Sequence, residues 1–203
     1  MTDTQIAAAY DARAAEYIAL IGDLDQMEAP DIALIGRWRD ATTGPLLDAG
    51  CGPGLWTAFL HDRVRVAQGI DLSVEFIAAA RERHPGLEFQ AGSFRELPFA
   101  DASFGGILAW YSLIHTPPED LPEILAEFAR VLAPGGSILI GFFDGEPREP
   151  FAHAVAPAWF WSAEALAGPL ADAGFSVTAS ERRDRLPGAA SVRAHGAITA
   201  VRR

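Results

Sequence analysis

The 203-residue sequence contains no lysine, since all 16 of its basic residues are arginine. This absence excludes a phosphate-loop lysine, a Schiff-base lysine and a kinase-type lysine. The single cysteine, Cys51, cannot form an intrachain disulfide, and the first residues lack the basic flank and apolar stretch of a secretion signal, so we expect a cytoplasmic protein. No apolar run approaches the roughly 18 residues needed to cross a bilayer, so no membrane span is expected.

Positive charge is also scarce. The 16 basic residues are outnumbered by 27 acidic ones, which gives a net charge of −11. Such a charge repels phosphate backbones and anionic bilayers, so neither a nucleic acid nor a membrane is expected as a partner. Half of the residues are hydrophobic, and the length fits one domain over residues 1–203. A homodimer is compatible with the sequence, which leaves the oligomeric state open.

From Pro45 onward, short apolar runs alternate with segments of helical length. The runs lie at 46–49, 64–70, 87–90, 106–110 and 137–143, and the helical segments between them lie at 55–62, 73–84 and 121–132. This alternation predicts buried parallel strands with crossover helices, which is a Rossmann-like, doubly wound α/β fold. A helix at 162–173 precedes two strands at 176–182 and 195–202, whose short link predicts antiparallel pairing.

Two helices are predicted before Pro45. One spans 4–21, with Ile6, Tyr10 and Tyr17 at helical spacing and with Asp3 or Thr4 as its cap, and the other spans 31–40. The single domain is therefore expected to comprise an N-terminal helical cap (1–43), a ligand-binding core (44–143), a substrate-side cap segment (144–161) and a C-terminal helix with two strands (162–203).

A glycine-rich loop, Asp48-Ala49-Gly50-Cys51-Gly52-Pro53-Gly54, follows the first core strand and begins a helix. Loops at this place in a doubly wound sheet bind ligands. A dinucleotide fingerprint would have its third glycine at position 55, which is leucine here, so the NAD interpretation is weakened. The carboxylate of Asp48 would repel a pyrophosphate and attract a cationic ligand.

Asp71 ends the second run, 21 residues after Gly50, which matches the offset at which an acidic side chain accepts hydrogen bonds from a ribose. The alternative role for Asp71 is a helix N-cap, which Ser73 could provide equally well. A cationic centre and a ribose occur together in S-adenosylmethionine.

The segment 46–54 resembles the first motif of the class I S-adenosylmethionine-dependent methyltransferases of the methyltransferase domain 11/25 type. Residues 69–73 (Gly-Ile-Asp-Leu-Ser) resemble the second motif and 92–99 the third, while 104–115 and 130–136 are similar to later landmarks. Two departures are Ser93 and Gly105, where the family pattern often has aspartate. The resemblance implies a mainly parallel seven-stranded sheet with an antiparallel last strand, helices on both faces, S-adenosylmethionine as cofactor, S-adenosylhomocysteine as product and no metal.

The resemblance also implies which residues bind the cofactor. Asp48 and the Gly50 backbone would hold the methionine end, Asp71 the ribose, Leu72 one adenine face and residues 92–94 the adenine edge. The full set is Tyr17, Asp48, Ala49, Gly50, Gly52, Gly54, Trp56, Asp71, Leu72, Ser73, Gly92, Ser93, Phe94, Ala109, Trp110 and Tyr111.

The methyl acceptor is expected between the N-terminal helix and the segment 144–161. The candidate contacts are Tyr10, His115, Arg148, His153 and Trp159. His115, just after the fourth strand, is the first candidate for a general base toward a hydroxyl acceptor, and a packing role for it is equally compatible with the sequence. The aromatic residues of 144–161 fit either a satellite core or the roof of a substrate site, and Arg148 fits a carboxylate or phosphate.

The sequence therefore favours a methyltransferase that acts on a small-molecule acceptor. The first alternative is a regulatory or partner protein that binds S-adenosylmethionine without catalysis. A nicotinamide-dependent oxidoreductase is the second alternative.

Overall fold

A seven-stranded sheet, with helices on both faces, organises the computed structural model, which describes residues 1–184 and 193–203. The strands are β1 (Leu46–Ala49), β2 (Ala67–Asp71), β3 (Glu88–Ala91), β4 (Phe104–Trp110), β5 (Leu132–Asp144), β6 (Pro150–Phe151), β7 (Ala158–Trp159), β8 (Phe175–Arg183) and β9 (Ala194–Arg202). The helices are α1 (Asp3–Asp11), α2 (Ala14–Ile21), α3 (Ala29–Ala41), α4 (Leu55–Leu60), α5 (Val74–Arg83), α6 (Leu121–Val131) and α7 (Ala163–Asp172).

The strand order is β3-β2-β1-β4-β5-β9-β8. Within this sheet all pairs are parallel except those of β9, which runs antiparallel to both β5 and β8. The predicted fold class is thus confirmed, including the antiparallel pairing of the last two strands. The order reverses between β1 and β4, and in a doubly wound sheet ligands bind at the carboxyl ends of the strands beside this reversal.

Side-chain alternation along the strands divides the core between the two faces of the sheet. Leu47 of β1 and Ile107 of β4 point to the face that packs on α6 and α7. Leu46 and Leu108, one residue away in each strand, point to the face that packs on α3 and α4. Because both faces are covered, the strands read as continuous apolar runs.

Several element bounds shift, for example β5 begins at Leu132 and not near residue 137, and three further features differ from the sequence-based prediction. The helix expected over 4–21 is broken into α1 and α2, because Arg13 leaves the helical conformation (φ −121°, ψ 11°), and Thr2, not Asp3 or Thr4, caps α1. Val64 and Val66 lie outside β2 and are exposed, because the Asp62 carboxylate accepts hydrogen bonds from the backbone N–H groups of Val64 and Arg65 and forms a turn there. The short β6–β7 ladder was not predicted.

Gly105, one of the two departures from the family pattern, has a packing explanation. A Cβ atom at this position would lie 1.6 Å from the carbonyl oxygen of Thr43, because the chain that enters β1 crosses directly against β4. The N–H of Gly105 donates to the Pro45 carbonyl at 2.8 Å in the same crossing. No side chain fits there, so the aspartate of the family pattern is excluded sterically.

Within the described ranges, no helix has both the length and the apolar character needed to cross a membrane.

Candidate active site

The loop after β1 is fixed in place by its glycines and by its neighbours. Gly50 has a φ of +84°, and an added Cβ would lie 2.2 Å from the Cβ of Ser112 in the loop after β4, so only glycine fits. The N–H groups of Gly50 and Cys51 both donate to the Ile70 carbonyl, at 2.8 and 3.1 Å. The Ser112 hydroxyl oxygen is buried and has no hydrogen-bond partner among the described residues, so its hydrogen-bonding capacity is unused.

The Asp71 carboxylate lies beside this loop, at the carboxyl end of β2. It accepts hydrogen bonds from the backbone N–H groups of Gly52 and Ser73, both at 2.9 Å. Burial of the carboxylate raises the pKa of Asp71. A carboxylate oriented in this way by two backbone donors retains lone pairs for the hydroxyl groups of a sugar.

Asp48 does not line the cavity, contrary to the expectation that its carboxylate faces a cationic ligand. Its side chain points from β1 toward α4, where it is 1% exposed and accepts a hydrogen bond of 2.7 Å from the Thr57 hydroxyl. Burial, together with the nearby Asp71 carboxylate, raises the pKa of Asp48 to about 7. Asp48 therefore joins β1 to α4 beneath the glycine loop.

Asp71 and the glycine loop open onto a cavity of about 220 Å³. The predicted site residues that line it are Tyr10, Tyr17, Gly50, Gly52, Asp71, Leu72, Ser93, Phe94, Trp110, Tyr111, His115 and His153. The structure thus brings together strand-end motifs, an N-terminal wall and part of the substrate-side cap segment.

Other residues predicted to contact the cofactor are not among those that line the cavity. They are Asp48, Ala49, Gly54, Trp56, Ser73, Gly92 and Ala109. Ala49 and Ala109 point into the α6–α7 side of the core, and Trp56 points into the α3–α4 side. Ser73 caps α5, because its hydroxyl accepts a hydrogen bond from the N–H of Phe76.

Arg148 and Trp159, predicted as substrate contacts, also do not line the cavity. The N–H of Trp159 donates to the Ile114 carbonyl at 2.9 Å, and its strand pairs with Pro150. The Arg148 guanidinium carbon lies 6.0 Å from the centre of the Trp161 ring. The substrate-side cap segment therefore contributes His153 to the cavity wall, while the backbone of Trp159 joins the segment to the loop after β4.

Helix α1 forms one wall of the cavity and contacts three separate loops. The Asp3 carboxylate accepts a hydrogen bond from the Ser93 hydroxyl, in the loop after β3. The Tyr10 hydroxyl lies 2.9 Å from His115, in the loop after β4. The Asp11 carboxylate accepts a hydrogen bond of 2.5 Å from the Ser73 hydroxyl, after β2.

His115 is buried under α1 with both ring nitrogens engaged. Its Nδ1 lies 2.9 Å from the Pro157 carbonyl oxygen, and its Nε2 lies 2.9 Å from the Tyr10 hydroxyl. Because a carbonyl can only accept, Nδ1 carries the proton and Nε2 accepts the hydrogen bond from Tyr10. Burial lowers the pKa of His115 and raises the pKa of Tyr10, so both groups are neutral near pH 7.

Aromatic rings form the remainder of the wall beside His115. The His153 ring lies 5.1 Å from that of His115, and burial lowers the pKa of His153 to about 4. Tyr111 adopts a positive φ of 54°, and its hydroxyl bonds to the Nδ1 of His195. The Phe143 ring packs 5.0 Å from that of Tyr111. This side of the cavity is therefore flat-walled, largely apolar and supplied with neutral imidazoles.

Several lining residues were not predicted from the sequence, namely Met1, Asp3, Ile6, Phe76, Arg95, Ser112, Ile114, Thr116, Pro117, Ile124 and Phe143. Those after β3 and β4 directly adjoin predicted residues, so extension along the same loops would have found them. Asp3 and Ile6 carried no local signal, because their position depends on how α1 docks. No trio of histidine, cysteine, aspartate or glutamate side chains in the described part of the chain is placed to hold a metal ion.

Residues 46–136 match the family model of a methyltransferase domain. A malonyl-[acyl-carrier protein] O-methyltransferase of Erwinia billingiae is 34% identical over 114 residues, which cover 56% of this chain and 43% of that protein. A demethylmenaquinone methyltransferase of Beutenbergia cavernae is 34% identical over 122 residues, which cover 56% of this chain and 50% of that protein. The chain therefore spans about half the length of the curated relatives it matches.

One similar solved structure is the 1,6-didemethyltoxoflavin-N1-methyltransferase of Burkholderia thailandensis, with bound 1,6-didemethyltoxoflavin and S-adenosylhomocysteine. The match has a TM-score of 0.76 and 24% identity, and it covers 100% of this chain and 91% of that one. At this level of identity the similarity establishes a shared fold.

Proposed function

We propose that this chain, whose residues 46–136 match a methyltransferase domain, is a class I S-adenosylmethionine-dependent methyltransferase that transfers the methyl group of S-adenosylmethionine to a small-molecule acceptor. The observation that carries the proposal is the continuity of the cavity. The strand-end residues Gly50, Asp71 and Ser112 line the same cavity as Tyr10 and His115. A nucleoside bound by the strand-end residues would therefore share this cavity with an acceptor that lies beside Tyr10 and His115.

The strand-end residues fit the cofactor. The glycine loop would allow close approach to bare backbone, and the Ser112 hydroxyl, which has no partner among the described residues, would be an unused polar group near the methionine end. Asp71, held by two backbone N–H groups, would accept hydrogen bonds from the ribose hydroxyls, and Leu72 would cover one face of the adenine. When bound, S-adenosylmethionine supplies a methyl group on a sulfonium that is already a good leaving group.

The acceptor end favours an uncharged, flat molecule. Its walls include Trp110, Tyr111 and Phe143, which offer aromatic faces. The imidazoles of His115 and His153 are kept neutral because burial lowers their pKa values. We therefore place a phenol, an enol or a nitrogen heterocycle here, with its nucleophilic atom directed toward the glycine loop.

Proton removal from such an acceptor is assigned to Tyr10 and His115. The Pro157 carbonyl fixes the proton on Nδ1 of His115, which leaves the Nε2 lone pair facing the Tyr10 hydroxyl at 2.9 Å. As an acceptor hydroxyl gives its proton to the Tyr10 oxygen, the Tyr10 proton passes to His115. The main contribution of the protein beyond this step is alignment of the acceptor and exclusion of water.

Calorimetry with S-adenosylhomocysteine, followed by transfer of a labelled methyl group to a panel of phenols, enols and nitrogen heterocycles, tests this function. We expect binding of the nucleoside and methylation of at least one class in the panel. Correctly folded protein that shows neither heat nor affinity for S-adenosylhomocysteine would contradict the proposal.

We further propose a cytoplasmic location, because Cys51 is an unpaired, buried thiol.

A further inference from the structure

We infer that the Asp3 carboxylate, carried by α1, recognises the exocyclic amine of the adenine ring. The loop after β3 offers only the hydroxyl of Ser93, and α1 brings a carboxylate into hydrogen-bond contact with it. The inference rests on the proposed function, because it concerns how the same nucleoside is recognised. It adds a specificity-determining residue that lies 90 positions away from Ser93 in the sequence.

The sheet topology determines where the base lies. The glycine loop follows β1, Asp71 ends β2 and Ser93 follows β3, and these three strands are consecutive neighbours in the sheet. Neighbouring strands are about 4.8 Å apart. A nucleoside with its ribose on Asp71 and its amino-acid end over the glycine loop therefore extends its base in the opposite direction, toward the end of β3. Asp3, Ser93 and Phe94 line that part of the cavity wall.

The Asp3 carboxylate is held in position there by two contacts. It accepts a hydrogen bond from the Ser93 hydroxyl through one oxygen, and its other oxygen lies 3.3 Å from Nε of Arg95. The same guanidinium also binds Asp120 at 2.6 Å and Glu123 at 2.9 Å. Arg95 therefore orients the Asp3 carboxylate. Because the positive charge of Arg95 is shared among three carboxylates, Asp3 can still accept another hydrogen bond.

Carboxylate and hydroxyl groups differ in what they offer an amine. The two oxygens of a carboxylate have about four lone-pair sites, so Asp3 retains acceptor capacity beyond its bonds to Ser93 and Arg95. A hydrogen bond to a charged acceptor is roughly twice as strong as one between neutral groups. Ser93 donates its only hydroxyl proton to Asp3, and its oxygen accepts a hydrogen bond of 3.1 Å from the backbone N–H of Arg95. The function of Ser93 here is therefore to position the Asp3 carboxylate.

Helix α1 provides a matched control in Asp11. This second carboxylate also bonds to a loop serine, Ser73, and so also fastens α1 to the domain. Asp11 does not line the cavity, whereas Asp3 does. Replacement of Asp11 therefore tests the docking of α1 without altering a group that faces the base, while replacement of Asp3 tests docking together with recognition of the base. The charge of Asp11 also acts on Asp71, but both ligands carry the same ribose, so this effect cancels in the ratio of their affinities.

The experiment measures, by calorimetry, the affinity for S-adenosylhomocysteine and for its 6-deamino analogue, in which hydrogen replaces the exocyclic amine. The wild-type chain, D3A, D3N and D11N are compared, and thermal unfolding of each confirms folding. We expect the wild type to prefer the amine-bearing ligand by roughly 10- to 100-fold, the range for one charge-assisted hydrogen bond. D3A should reduce this preference to near unity, D3N should leave an intermediate value, and D11N should keep the wild-type ratio.

The outcomes separate the two proposals. A wild-type chain that binds neither ligand contradicts the proposed function. A wild-type chain that binds both ligands without preference, or a D3A variant that keeps the wild-type ratio, overturns the role of Asp3 and leaves the proposed function standing. A D11N variant that loses the ratio as fully as D3A also overturns that role, because the preference would then follow the docking of α1.

Discussion

Replacement of Asp48 by asparagine should change how the stability of the protein depends on pH. The carboxyl group is 1% exposed, and burial raises its pKa from the ordinary value of 3.8 to about 7. Between these two values the folded chain holds a proton that the unfolded chain has lost. The free energy of unfolding therefore falls as the pH rises from about 4 to 7, and it stays lowered above pH 7.

The size of this effect follows from the pKa difference. Each pKa unit corresponds to about 1.4 kcal/mol, so the wild-type chain loses about 4 kcal/mol from this one group across the whole range. About 3 kcal/mol of the loss falls between pH 5 and pH 8. Asparagine carries no charge at either pH, and its side-chain oxygen can still accept the hydrogen bond from Thr57. D48N should therefore gain about 3 kcal/mol relative to wild type between pH 5 and pH 8.

Urea unfolding at pH 5, 6, 7 and 8 measures the difference directly. The same series on D25N, which alters an exposed carboxyl group, is the control and should show no comparable trend. The m-values of the variants should match that of the wild type, so that the comparison reflects stability alone. If the difference between D48N and wild type is the same at pH 5 and pH 8, the buried carboxyl group does not titrate in this range and the reasoning fails.

Three further substitutions test the site and the core. Gly50→Ala places a Cβ 2.2 Å from that of Ser112 at a φ of +84°, so calorimetry should show loss of S-adenosylhomocysteine binding, and wild-type affinity would contradict the role of the loop. Tyr10→Phe removes the hydroxyl that bonds to His115, so kcat with a hydroxyl acceptor should fall about tenfold or more, and an unchanged pH–rate profile would rule out the proton path. Phe128→Ala empties a fully buried site and should lower the free energy of unfolding by about 3–5 kcal/mol in urea titration, whereas a loss below about 1 kcal/mol would show that the core refills.

Local signals in the sequence predicted the sheet and the strand-end motifs well. The bounds of β1 follow from an apolar run between Pro45 and Gly50, and α7 begins after Ser162, whose side chain caps it. The first part of the chain was less predictable. The spacing of apolar residues over 4–21 suits one helix, but periodicity does not reveal the backbone break at Arg13. The turn at Asp62 likewise overrode the β-forming character of Val64 and Val66.

The site residues that lie in continuous motifs were also easier to predict than those whose position depends on tertiary contacts. Asp71, Leu72 and Ser93 lie in continuous motifs at strand ends, so the sequence predicted their position on the cavity. The direction of the Asp48 side chain was misjudged, because alternation along β1 turns it toward α4 and Thr57. Asp3 was not predicted as a site residue, because its contact with Ser93 depends on tertiary docking of α1.

The way in which α1 is fastened has a consequence for turnover. Its contacts at Asp3, Tyr10 and Asp11 hold it to three loops at once, so the helix closes one wall of the cavity as a single unit. A spent nucleoside that leaves past this wall needs all three contacts to open together. We therefore expect product release to be the rate-limiting step, and steady-state rates to fall as solvent viscosity is increased.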